Sequence, residues 1–169
     1  MAHTLNKKYI ADFCPACGSP TEQSHEHGMM RPKCTSCGHV IFFDPKVAVI
    51  AFIAQDDKIL LIQRDVEPGK GFWALVGGFV EIDEHPEETV ERETLEETGL
   101  EVQVGHVLDI YHLPDYHTVT IAYTASITGG KINAGDDAAD VAWFSKDSLP
   151  ELFFESTKTL VKLWQNDQI

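Results

Sequence analysis

The sequence predicts an α/β fold, a mixed sheet flanked by two helices in an α/β/α sandwich, with a small metal-bound unit ahead of it. Three observations carry this. Short apolar runs of strand length recur between Val47 and Phe144, two punctuated helical segments interrupt and close the series, and all four cysteines lie between Cys14 and Cys37.

At 169 residues the chain is long enough for one compact domain and a small accessory unit. Its 43% hydrophobic and 24% charged residues are globular material. No apolar run approaches the ~20 residues of a membrane span, and the opening MAHTLNKKYI lacks a signal peptide's apolar core. The expected compartment is the cytoplasm. A formal net charge of -14 opposes attraction to nucleic acid or to an anionic membrane, so neither DNA nor a membrane is an expected partner. The same charge repels a polyphosphate, so a phosphate-handling enzyme of this composition needs bound cations.

Residues 1 to about 12 read as a tail or lead-in. Cys14-Pro15-Ala16-Cys17-Gly18 and Cys34-Thr35-Ser36-Cys37-Gly38 then form two CxxCG knuckles, and every cysteine of the chain is used in them. Their spacing matches a tetrahedral four-thiolate zinc site, with the glycines allowing the tight turns. The alternative is disulfides or redox thiols, which a reducing compartment disfavours. Four thiolates close the shell, so His25, His27 and His39 are read as surface residues, and the metal's expected role is structural. Residues 10–41 are taken as this ribbon. Its exposed apolar residues, with Phe13, Ile41 and Phe42 read among them, need a cover, which makes a homodimer the candidate assembly.

The larger domain is expected over residues 46–166. Val47 to Ala54 is a continuous apolar run and reads as a central strand, Gln55-Asp56-Asp57 as a turn, and Lys58 to Arg64 as the hairpin partner. A short strand, Phe72 to Val76, runs into Gly77-Gly78, whose missing side chains let the backbone approach an ion or phosphate. Strands follow at Val102 to Tyr111 and Thr118 to Ile127, the second alternating Val119, Ile121 and Tyr123 against Thr118, Thr120 and Ala122. After a polar loop holding Asp136, Asp137 and Asp140 comes the strand Val141 to Phe144. A last helix, about Glu155 to Gln165, buries Leu160, Leu163 and Trp164.

The remaining helix spends its length on carboxylates. Pro86 suits the first helical position and Gly99 a left-handed stop, so the helix runs from about Pro86 to Thr98. Glu93, Glu96 and Glu97 stand at i, i+3 and i+4 and crowd an arc of roughly 100°. Like charges at that spacing cost a few tenths of a kcal/mol per pair, and only Arg92 opposes them nearby. The aliphatic residues Val90 and Leu95 point well apart, so burial does not explain the pattern. A solvated acidic helix is the plain reading. A divalent cation, held by carboxylates with substrate phosphates completing the shell, is the functional one.

Gly78, Glu84 and the run Arg92-Glu93-Thr94-Leu95-Glu96-Glu97-Thr98-Gly99-Leu100 resemble the signature box of the Nudix hydrolases, departing from it at Thr94, where an aliphatic residue is usual, and at Val76, where proline is. The resemblance implies the Nudix α/β/α sandwich with a mixed sheet. It implies that Glu93, Glu97 and the Gly78 carbonyl bind Mg²⁺ or Mn²⁺, that Glu96 and Glu84 complete a second ion site, and that Arg92 holds a carboxylate in place. Glu96 or Glu93 is the candidate base. Glu84, Arg92, Glu93, Glu96 and Glu97 are thus the catalytic set. Arg64, Phe79 and Tyr111 are candidate substrate-binding residues, with Tyr116 a further aromatic that can stack on a base.

The cysteine unit resembles the zinc ribbon found ahead of the hydrolase domain in ADP-ribose, FAD and NADH pyrophosphatases. The implied reaction is metal-dependent hydrolysis of a nucleoside diphosphate derivative, a small nucleotide substrate giving AMP and a phosphorylated product. The Ser-Gln-Pro-Trp-Pro-Phe run of NADH-specific members is absent, which favours ADP-ribose or FAD over NADH or NAD. Capped RNA is a further alternative, against which the charge argues. An alternative of another class is a nucleotide-sensing regulator, but such proteins usually lose box carboxylates and gain a basic domain, whereas this chain keeps the four Glu and has 13 Lys plus Arg.

Overall fold

The computed structural model describes residues 10–169, so the expected lead-in lies mostly outside the described residues. The chain divides into two compact units, with the boundary between Asp44 and Pro45.

In the first unit β1 (Thr21–Glu26) and β2 (Met29–Cys34) form an antiparallel hairpin that aligns Thr21 with Cys34. A knuckle leads into it and another leads out. Gly18 and Gly38 take left-handed φ of 73° and 75°, and each donates to the carbonyl of the first cysteine of its knuckle, Cys14 at 2.9 Å and Cys34 at 3.2 Å. Phe13 and Phe42 are exposed as expected, but Ile41 is buried, its N–H held by the Pro32 carbonyl at 2.8 Å.

The second unit contains β3 (Lys46–Phe52), β4 (Ala54–Gln55), β5 (Lys58–Arg64), β6 (Trp73–Ala74), α1 (Pro86–Thr98), β7 (Leu100–Leu113), β8 (Thr118–Gly130), β9 (Ala138–Ser145) and α2 (Glu155–Gln165). In one sheet β8 lies between β3, which runs parallel to it, and β7, which is antiparallel. In the other, β5 pairs antiparallel with β4, β6 and β9.

The sequence reading of one long hairpin is corrected here. Only Ala54 and Gln55 pair with β5, across a turn in which Asp56 and Asp57 both have positive φ, while β3 belongs to the sheet of β8. Ile53 marks the break between the two pairings, and local apolarity cannot reveal such a change of partner. The strand expected over 72–76 shortens to Trp73–Ala74, because Val76 and Phe79 bridge to Ala51 and Ala48 of β3 instead.

Alternation along β5 explains the layers. Ile59, Leu60, Leu61 and Ile62 are all fully buried; Leu60 and Ile62 pack in the cluster that contains Val90 of α1, Ile59 and Leu61 in the cluster that contains Leu160, Val161 and Trp164 of α2. A strand covered on both faces reads as a continuous apolar run, and each such side chain contributes about 1.5–3 kcal/mol by burial. The α/β/α sandwich follows. Leu163 is only half-buried, and Val161 supplies part of the α2 face expected from it.

Candidate functional site

Helix α1 begins and ends as its sequence directs. Pro86 occupies the first turn, His85 N–H donates to Glu88 Oε2 at 2.9 Å, and Gly99, at φ 70°, donates to the Leu95 carbonyl at 2.9 Å. Its inward face is Thr89, Val90, Thr94, Glu97 and Thr98, while Leu95 is exposed. Thr94, the departure from the usual aliphatic, is fully buried and donates to the Val90 carbonyl at 2.6 Å, which satisfies its hydroxyl within the helix.

The carboxylates separate into two environments. Glu97 is 2% exposed and accepts from the Gly77 N–H at 2.9 Å. Burial pushes its carboxyl up to about 8, against the Gly77 hydrogen bond that favours the charged form. The others gather around one guanidinium. Arg92 Nε and Nη2 grip Glu84 at 2.8 and 2.9 Å, and Nη1 reaches Glu93 at 2.8 Å and Glu96 at 3.0 Å. This fork holds Glu84 down to about 2, whereas desolvation raises Glu93 despite Arg92. One arginine therefore offsets the repulsion that the helix builds up.

The glycine pair has two distinct reasons. A Cβ on Gly77 would meet the Val49 carbonyl oxygen at 2.1 Å, so its absence lets the loop close on β3. At Gly78 the Cβ would meet Glu93 Oε1 at 2.0 Å, so the carboxylate lies directly over this residue. The Gly78 carbonyl accepts from Val49 N–H at 2.9 Å and keeps one lone pair.

Beside this loop opens a cleft of about 350 Å³ lined by Lys46, Arg64, Gly77, Gly78, Phe79, Tyr116, Thr118, Thr120, Asp137 and Phe154. Arg64 and Phe79, expected from sequence, are among these residues. Tyr111 is not; it packs against the α2 cluster with Phe52 and Leu160. Its strand partner on β8, Thr120, does line the cleft, so Tyr111 shares that face of the sheet but is taken up by packing against the α2 cluster. Sequence reasoning missed Lys46, Asp137 and Phe154 as lining residues. For Phe154 a signal existed: two adjacent phenylalanines stand before α2 and outside its apolar stripe.

Oxygen donors of Glu93, Glu96 and Glu97 beside a glycine carbonyl suit a hard cation such as Mg²⁺. Among the described residues no three carboxylates gather within 4.8 Å; that closeness belongs to the four cysteines of the first unit. Their sulfurs lie 3.5 Å apart for Cys17–Cys34 and Cys17–Cys37 and 3.8 Å for Cys14–Cys37, and all four thiols are free. Zn–S bonds of about 2.3 Å in a tetrahedron imply sulfur separations of ~3.8 Å, so the four thiols fit one zinc ion. Hydrogen bonds from Ser19 bring Cys17 down to about 6, whereas Cys37, despite a backbone hydrogen bond from His39, is pushed up to about 12 by the neighbouring thiols of Cys17 and Cys34.

Among the described residues no helix is long and apolar enough to cross a membrane. The NUDIX domain model matches residues 44–164. An ADP-ribose pyrophosphatase of Methanocaldococcus jannaschii is 42% identical over 132 residues, 75% of this chain and 78% of that protein. The NAD-capped RNA hydrolase NudC of Chromobacterium violaceum is 31% identical over 142 residues, covering 83% of this chain and 52% of that protein, so the chain spans about half the length of this relative. A Nudix hydrolase structure from Nitrosomonas europaea superposes with a TM-score of 0.87 at 26% identity, over 94% of this chain and 92% of that one. The chain belongs to the NUDIX domain family and is one of its hydrolases.

Proposed function

We propose that this hydrolase cleaves the diphosphate bond of a nucleoside diphosphate derivative, ADP-ribose or FAD foremost, releasing AMP and a phosphorylated product. The observation that carries the reading is the buried Glu97 carboxylate, joined through Gly77 to a cleft whose other side is aromatic. The name of the Methanocaldococcus jannaschii relative supports ADP-ribose.

Glu93, Glu97 and the free lone pair of Gly78 would hold Mg²⁺ or Mn²⁺, with Glu96 and Glu84 available to a second ion. When bound, the ion neutralises charge on the diphosphate and acidifies the attacking water. Arg92 orients Glu84, Glu93 and Glu96 together. Glu93 or Glu96 takes the proton from water. Arg64, on the cleft wall, would face the diphosphate, and Tyr116 and the side of Phe79 not covered by Lys46 would offer faces to planar groups. The four cysteines hold a structural Zn²⁺ in a ribbon over residues 10–41, ahead of a hydrolase domain over 46–166.

NADH or NAD is the second reading, favoured by the NudC relative. Products of ADP-ribose, FAD, NADH and NAD incubated with Mg²⁺ or Mn²⁺ decide between them. Hydrolysis of none of the four sinks the proposal.

A further inference from the structure

Phe154 stands apart from both core clusters, yet it touches two residues of the cleft that come from different parts of the chain. The Arg64 guanidinium, at the end of β5, lies over its ring at 5.2 Å from the centroid. Tyr116, from the turn between β7 and β8, meets it edge to face at 6.0 Å and 76°. Phe154 itself is fixed. Its carbonyl accepts from Lys158 N–H at 3.0 Å as α2 begins, the preceding Phe153 N–H is held by the Trp73 carbonyl at 3.1 Å, and the Phe153 ring packs edge to face against it at 4.9 Å.

Arg64 has a choice that it does not take. In a chain of net charge -14, and with Asp137 lining the same cleft, no carboxylate among the described residues lies within ion-pair distance of it. Its Nε is spent on the Pro68 carbonyl at 2.8 Å and its plane on the Phe154 ring. A cation held by a carbonyl and a ring keeps its full charge and its terminal N–H groups for an anion, whereas an ion pair would cancel both.

The geometry points to Phe154 as a positioning residue: it sets Arg64 toward the diphosphate and Tyr116 toward the planar ring of the same substrate, so that the two halves of a nucleotide are recognised as a unit. This rests on the reading of the cleft as a nucleotide site. It goes further in giving one ring on the cleft wall, in contact with both Arg64 and Tyr116, the task of coupling them. A cleft of about 350 Å³ is near the lower end for ligand sites, which suits one nucleoside half with its phosphate and leaves the remainder of the substrate outside.

The test is a binding cycle in the full chain with Mg²⁺ present, using calorimetry with AMP, adenosine and ribose 5-phosphate as probes. Phe154→Leu should weaken AMP about tenfold, and adenosine and ribose 5-phosphate each by a smaller factor. In an Arg64→Ala background the same substitution should leave ribose 5-phosphate unchanged, since the group it positioned has gone. Phe154→Tyr should restore AMP binding, a result that a purely structural role for the residue does not require; it also keeps the test open should the leucine variant melt early. Unchanged AMP affinity in folded Phe154→Leu, strictly additive losses with Arg64→Ala, or a wild type that binds none of the probes would each overturn the inference. A wild type that shows the cycle but hydrolyses none of ADP-ribose, FAD, NADH and NAD would remove the proposed reaction and leave the inference standing.

Discussion

Arg92 grips Glu84 through two parallel contacts, Nε to Oε1 at 2.8 Å and Nη2 to Oε2 at 2.9 Å, while its remaining nitrogen serves Glu93 and Glu96. A lysine cannot reproduce that fork. Arg92→Lys should therefore cost about 1–2 kcal/mol of stability, as charged hydrogen bonds of this kind are lost, and should lower turnover, because Glu93 and Glu96 lose their common anchor. A denaturant titration and a rate measurement on one preparation check both.

Glu84 and Glu97 give the metal-free protein opposite pH dependences. Glu84 is held down to about 2 from an ordinary 4.5, so its contribution is full above 4.5 and lost as pH falls through 2. Glu97 is raised to about 8 from 4.5, so its neutral form contributes fully below 4.5, and that contribution is lost as pH rises through 8. Melting in a chelator should show Tm falling between about pH 5 and 8, and Glu97→Gln should flatten that limb. The stabilisation given by Mg²⁺ should grow over the same range, because binding needs the deprotonated carboxylate. A limb of unchanged slope in the Gln variant would assign it to another group.

The two adjacent glycines should fail differently. Gly77→Ala drives a methyl into the Val49 carbonyl, a backbone atom that cannot move cheaply, and should lower Tm. In Gly78→Ala the obstacle is the end of the Glu93 side chain, which can swing away, so the fold should survive and turnover should drop. Equal effects of the two on stability would contradict this division.

Zinc should be present at one equivalent per chain in protein purified without added metal. The four sulfurs already stand at the separations a tetrahedral ion needs. Less than half an equivalent by metal analysis, or disulfides by thiol titration, would refute it.

Much of this was legible in the sequence, where position along the chain encodes the geometry. Pro86 and Gly99 bound α1 because their backbone chemistry is local, and the CxxCG spacing placed four sulfurs together for the same reason. The i, i+3, i+4 spacing put Glu93, Glu96 and Glu97 on one arc, yet their difference was hidden. Glu97 is buried and Glu96 is 43% exposed, because the loop at Gly77 covers only one edge of that arc. Illegible too was whatever depends on pairing between distant strands. β3 exchanged its expected hairpin for β8, and Tyr116 and Phe154, far apart in the sequence, met at the cleft.

Whether α1 is a metal platform is decided by Glu97→Gln. The substitution keeps size and the contact to Gly77 but removes a charge from the ion's shell. Stability should be unchanged or slightly raised, since a buried carboxyl is replaced by a neutral group. A preorganised electrostatic group at a reaction centre is worth ~10²-fold or more in rate. The measurement is turnover of ADP-ribose and FAD by wild type and Glu97→Gln at saturating Mg²⁺, beside a thermal melt of each. A metal platform requires a folded variant with turnover reduced about a hundredfold or more; a folded variant with full activity rules that role out.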